Sequence, residues 1–69
     1  MLAKAAKDLG CEMRNENFVD LTPVTLGDVI KWLITNGFTE SKVRKGRWTK
    51  EGVQLMLDSI GGFLYKPSL

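Results

Sequence analysis

Three sets of side chains have types and spacings that could do chemistry. The first is Lys42, Arg44, Lys45, Arg47 and Lys50, half of the ten Lys and Arg residues gathered within nine positions. Cations packed this closely attract anions, phosphate groups among them. A run of this kind is also a common solvated face, and Gly46 and Trp48 inside it favour the binding reading. The second set is Glu12, Glu16 and Asp20, four residues apart, which would share one face of a helix. Asn15 and Asn17 argue against a helix there, and no His or adjacent cation completes an acid–base pair, so these carboxylates read as surface. The third is Cys11, the single cysteine in a chain without histidine. It can form no internal disulfide, and neither a zinc site nor a Cys–His nucleophile can be assembled within one chain. Cys11 reads as a small packing residue. With no phosphate loop or nucleotide fingerprint, the expectation is a protein that is not an enzyme and holds no cofactor or metal.

What must position the cations is a single small domain of 69 residues, 43% of them hydrophobic. That composition is globular rather than disordered. The net charge is only +2, but it is uneven: residues 1–40 carry −2 and residues 41–69 carry +4. Such asymmetry suggests one face for an acidic partner. One cysteine and no signal peptide point to the cytoplasm. No apolar run approaches the roughly 20 residues that span a bilayer, so no membrane partner is expected.

Periodicity divides the domain into an N-terminal helix and extended segment (1–24), a helical core (25–60) and a C-terminal tail (61–69). Leu2, Ala5, Ala6 and Leu9 make the apolar stripe of a helix over Met1–Leu9 that Gly10 stops. Residues 11–17 lack a helical period and read as loop or extended, and Phe18–Leu21 as a short strand or a staple across the core. Thr22-Pro23 marks a break. Thr25 is then an N-cap, with Asp28 suited to the helix dipole, for a helix over Leu26–Asn36 whose face is Leu26, Val29, Ile30, Leu33 and Ile34. Trp32 lies off that stripe, as a core residue or an exposed anchor. Thr39 caps a short helix over Glu40–Lys45 held by Val43. Thr49 caps a third over Lys50–Ile60, with Val53, Met56, Leu57 and Ile60 at three-and-four spacing and Trp48 stapled against Val53. Phe63, Leu64 and Tyr65 fold back onto the core. The expected fold class is mainly α: a small three- to four-helix domain with a helix-turn-helix-like core and at most one short extended segment or vestigial wing.

Gly37-Phe38-Thr39-Glu40-Ser41-Lys42-Val43-Arg44-Lys45 resembles the turn and recognition helix of bacterial and phage helix-turn-helix proteins. There the run reads Gly, apolar, Ser/Thr, any, Ser/Thr, any, Val/Ile, basic. Thr25-Leu26-Gly27-Asp28-Val29 resembles the start of their first helix, and Gly46–Val53 is similar to the wing exit of excisionase-like, MerR-like domains. Between Lys45 and Arg47 only Gly46 stands where the family has a longer stretch. The resemblance spans about residues 25–60. It implies a small DNA-binding regulator or recombination-directionality protein whose helix around 39–45 enters a major groove. Ser41, Lys42 and Lys45 would then face base edges, and Arg44, Arg47 and Lys50 would face phosphates or the minor groove. A homodimer would supply the contact area that one such small domain lacks.

A second reading stays open: a small protein of the kind phages and mobile elements encode, which binds a protein partner to inhibit or adapt it. Its aromatic anchors would be Trp32, Phe63 and Tyr65. An inward-packed tail would weaken this reading, and a shared exposed patch would strengthen it.

Overall fold

Local chemistry builds both helices where the chain expects them. In a computed structural model, which describes residues 1–67, helix α1 runs Leu2–Leu9 and ends at Gly10, whose φ of +70° is the left-handed geometry glycine adopts without cost. Helix α2 runs Leu26–Thr35. The Thr25 hydroxyl accepts the Asp28 N–H at 3.2 Å and the Asp28 carboxylate accepts the Thr25 N–H at 3.4 Å, a reciprocal capping box. Its buried face is rotated from the expected one. Val29, Trp32 and Leu33 are buried, whereas Leu26 and Ile34 are exposed. Trp32 supplies the reason: it is the largest apolar side chain on the helix, and its indole N–H donates to Asp8 on α1 at 2.9 Å.

Beyond α2 the mainly α expectation fails. The other regular elements of the described residues are strands, and the fold is α+β: α1, β1 (Glu12–Asn15), β2 (Phe18–Asp20), α2, β3 (Thr39–Glu40), β4 (Arg47–Lys50), β5 (Val53–Asp58) and β6 (Phe63–Tyr65). The six strands form one antiparallel sheet in the order β1-β2-β6-β5-β4-β3. The expected helix over 40–45 is the end of β3 and a loop, and the expected helix over 50–60 is a turn followed by β5. No helix-turn-helix core is present among the described residues.

Turn chemistry explains the outcome. Glu51 and Gly52 both have positive φ, +45° and +83°, which makes them a two-residue type I′ turn whose twist matches a hairpin. Thr49 therefore caps no helix, and Lys50 faces Val53 across the turn. Val53, Leu55 and Leu57 fit a strand's period of two as well as Val53, Met56, Leu57 and Ile60 fit a helix's period. The strand prevails because it pairs on both edges, with β4 and β6. Gly46 has φ +89° and carries the loop before β4 close against β5, where the Leu57 N–H donates to its carbonyl at 2.7 Å.

Both helices pack on one face of the sheet. The core there joins Leu2, Ala5 and Ala6 of α1 and Val29, Trp32 and Leu33 of α2 to Val19, Leu64, Leu55 and Trp48 of the strands, closed by Leu21 and Phe38. Trp48 is thus a core residue of β4 rather than a helix staple. Its indole N–H is buried without an acceptor.

Candidate interaction surface

Pleating sends alternate residues to opposite faces of a strand. With Val19, Leu64 and Leu55 under the helices, the residues between them face away. Register then places Phe18 of β2, Tyr65 of β6, Met56 of β5 and Arg47 of β4 in one row on the uncovered face. Asp20, Phe63 and Asp58 form the next row.

The aromatic members of these rows touch. Phe18 and Tyr65 stack with centroids 4.9 Å apart and planes 10° from parallel, and Phe63 meets Phe18 edge-on at 5.8 Å and 87°. All three rings are half-buried although no helix lies over them. An extra residue in β1, between Met13 and Asn15, re-aims that strand. The Arg14 guanidinium there sits 5.3 Å from the Phe63 centroid. Met56 fills the gap between Tyr65 and Arg47. The carboxylates nearby are turned to the sheet's end. Asp20 accepts both the hydroxyl and the N–H of Thr22, and these bonds hold its carboxyl below the usual aspartate range. Asp58 accepts the N–H groups of Ile60 and Gly61 at 3.1 and 2.8 Å.

No family model, curated protein or solved structure matches this chain. The surface therefore has to be read from its own residues.

The expected site residues fall in three places. Lys42, Arg44 and Lys45 lie exposed on the β3–β4 loop with Val43. Ser41 organises that loop, its hydroxyl accepting the Val43 and Arg44 N–H groups at 3.2 Å each, while the Glu40 carboxylate accepts the Gly46 N–H at 2.9 Å. Arg47 belongs to the uncovered face, and its Nε is buried with no hydrogen-bond partner. Lys50 lies apart from both, under the helices' side of the sheet. Its ammonium donates to the Asn36 carbonyl at 2.7 Å, 5.8 Å from the Phe38 ring, and so fastens the end of α2. Of the aromatic anchors, Phe63 and Tyr65 come together and Trp32 does not, being buried between the helices.

Phe18, Arg14 and Met56 were not singled out by sequence. Register alone brings them to the cluster, although alternation in Phe18-Val19-Asp20 and Phe63-Leu64-Tyr65 around buried Val19 and Leu64 was a usable signal. Among the described residues, no side chain of the three arginines makes a hydrogen bond or ion pair, and no group of three metal-ligating side chains is present. Cys11 is a half-buried free thiol whose pKa is raised by burial and by the Asp20 charge. No helix among the described residues is long and apolar enough to cross a membrane.

Proposed function

We propose that this chain is a small adaptor or inhibitor that docks on a protein partner with the uncovered face of its sheet. The observation that carries the reading is the Phe18–Phe63–Tyr65 cluster on the side opposite both helices, with Arg14 and Arg47 beside it. Aromatic and arginine side chains dominate protein interfaces, because large rings and planar guanidinium groups gain most from desolvation by a partner. The complementary surface has an apolar centre and carboxylates at its edge, matching the unpaired guanidinium groups. Cys11 as a lone free thiol fits the cytoplasm as the compartment.

A nucleic-acid partner, reached through the cations of the β3–β4 loop, is the competing reading. The sheet face supports it less, since Phe18 and Tyr65 each give one ring face to the other and all three rings are half-buried, whereas bases stack on open ring faces.

The test compares wild type, Phe63→Asp and Arg14→Ala/Arg47→Ala as immobilised baits in a native extract, with circular dichroism confirming the fold of each. The reading expects a stoichiometric protein retained by wild type and lost by both variants. Retention of the same proteins by all three refutes it. Salt-sensitive binding to mixed DNA by fluorescence anisotropy, in the absence of such a partner, would establish the competing reading.

A further inference from the structure

The basic loop has a feature that neither reading uses. Val43, between Lys42 and Arg44, is 92% exposed, and Ile60, on the β5–β6 loop, is 99% exposed. One exposed aliphatic side chain is ordinary on a protein surface, but here the two most exposed large apolar residues among those described accompany a cluster of cations. The two tips occupy the same end of the sheet: the loop of Val43 enters β4, that of Ile60 leaves β5, and Leu57 donates to the Gly46 carbonyl between them. Half-exposed Leu26 joins that end, beside Ser59 and Gly62.

We propose that this end of the molecule docks on an anionic lipid surface, with Val43 and Ile60 entering the headgroup layer and Lys42, Arg44 and Lys45 lying against lipid phosphates and carboxylates. Aliphatic tips ringed by cations match such a surface in both respects, since apolar insertion and charge attraction add. A nucleic-acid backbone would use the cations and leave both tips in water. The loop is already ordered by Ser41, Glu40 and Gly46, so little conformational freedom is lost on contact. Glu40, Asp58 and Asp28 are this end's nearby carboxylates, and each is bound back to a backbone N–H of its own loop or helix cap. Asp20 shares this end on β2, beside β6, where Thr22 holds its carboxylate, and Glu12 lies one strand further from the cations, on β1. The inference concerns peripheral contact, independent of any spanning segment and of the sheet-face reading.

The test is co-sedimentation of the full chain with phosphatidylcholine vesicles, with and without phosphatidylserine. Binding is expected only to the phosphatidylserine vesicles and should weaken with salt. Lys42→Gln/Arg44→Gln/Lys45→Gln should lower the affinity roughly a hundredfold, at about fivefold per charge. Val43→Asp/Ile60→Asp should lower it about tenfold or more while leaving the circular dichroism spectrum unchanged. Failure to bind, equal binding to neutral vesicles, wild-type binding by the aspartate variant, or release by duplex DNA that binds the same loop would each overturn the inference.

Discussion

Replacing Gly46 by alanine tests the close approach that sets the β3–β4 loop. Gly46 has φ +89°, so any other residue there meets the left-handed penalty of about 1–2 kcal/mol. It also faces a steric problem: an added Cβ would lie 2.8 Å from the Leu57 carbonyl oxygen, a backbone atom that cannot swing aside. Relief requires β4 and β5 to separate there, against the 2.7 Å hydrogen bond from the Leu57 N–H to the Gly46 carbonyl. Overpacking of this kind costs roughly 1–3 kcal/mol, so Gly46→Ala should destabilise by about 2–5 kcal/mol. Gly52→Ala is the internal control. Its φ is +83°, but nothing lies within 4 Å of the added atom, so only the backbone penalty of about 1–2 kcal/mol applies. Urea unfolding of wild type and both variants measures the difference, expected near 2 kcal/mol, or about 8–16 °C in Tm for a domain of this size. If Gly46→Ala costs no more than Gly52→Ala, the loop is not pinned to β5 and the ordered presentation of Val43 and its flanking cations is wrong.

Three further outcomes follow from individual hydrogen bonds. Thr25→Ala removes the capping box of α2 and should cost about 1 kcal/mol in urea unfolding. Hydrogen bonds from Lys4 and the Trp32 indole lower the Asp8 pKa, so its stabilising contribution is present above the ordinary aspartate value near 3.9 and lost as pH falls through the lower native value. Asp8→Asn should therefore flatten the acid limb of stability against pH below about 4, and an unchanged limb would count against the pairing. Trp32→Phe should cost more than Trp48→Phe, because the first deletes a made hydrogen bond whereas the second removes an indole N–H already buried without an acceptor. The gap, read by chemical denaturation, should be on the order of 1–3 kcal/mol.

The two helices were legible because their signals are local. A glycine stop at Gly10 and the Thr25/Asp28 cap each act within a few residues, whereas 18–21 read equally as a strand or a staple. The second half was misread for a specific reason. Thr39, Thr49, Gly37 and Gly46 are residues that caps and hairpins share, and apolar spacing over 53–60 satisfies both periods. The decision came from pairing partners far along the chain, with β6 meeting both β2 and β5. Glu51-Gly52 carried only half of the local clue: the glycine suits a I′ turn, but glutamate is not among the residues that favour its first positive-φ position. The site followed the same division. The cations were visible as a run, but which share a surface was not: Lys50 points to the covered side, while Arg14 and Phe18, near the start of the chain, join Phe63 and Tyr65 near its end. Residues Ser68 and Leu69 of the expected tail lie outside the described residues.

The place of β6 inside the sheet has a consequence for how the chain comes into being. Phe63–Tyr65 is made after the other five strands of the described residues, yet it is the seam between the β1–β2 hairpin and the β3–β4–β5 meander. During synthesis, at about 5–20 residues per second, the emerging chain holds two half-sheets, each with a bare edge on β2 or β5, until the seam strand clears the ribosome. A transcript broken before codon 63 would therefore yield not a shortened version of this protein but two unjoined sticky fragments on one chain, suited to quality-control proteases.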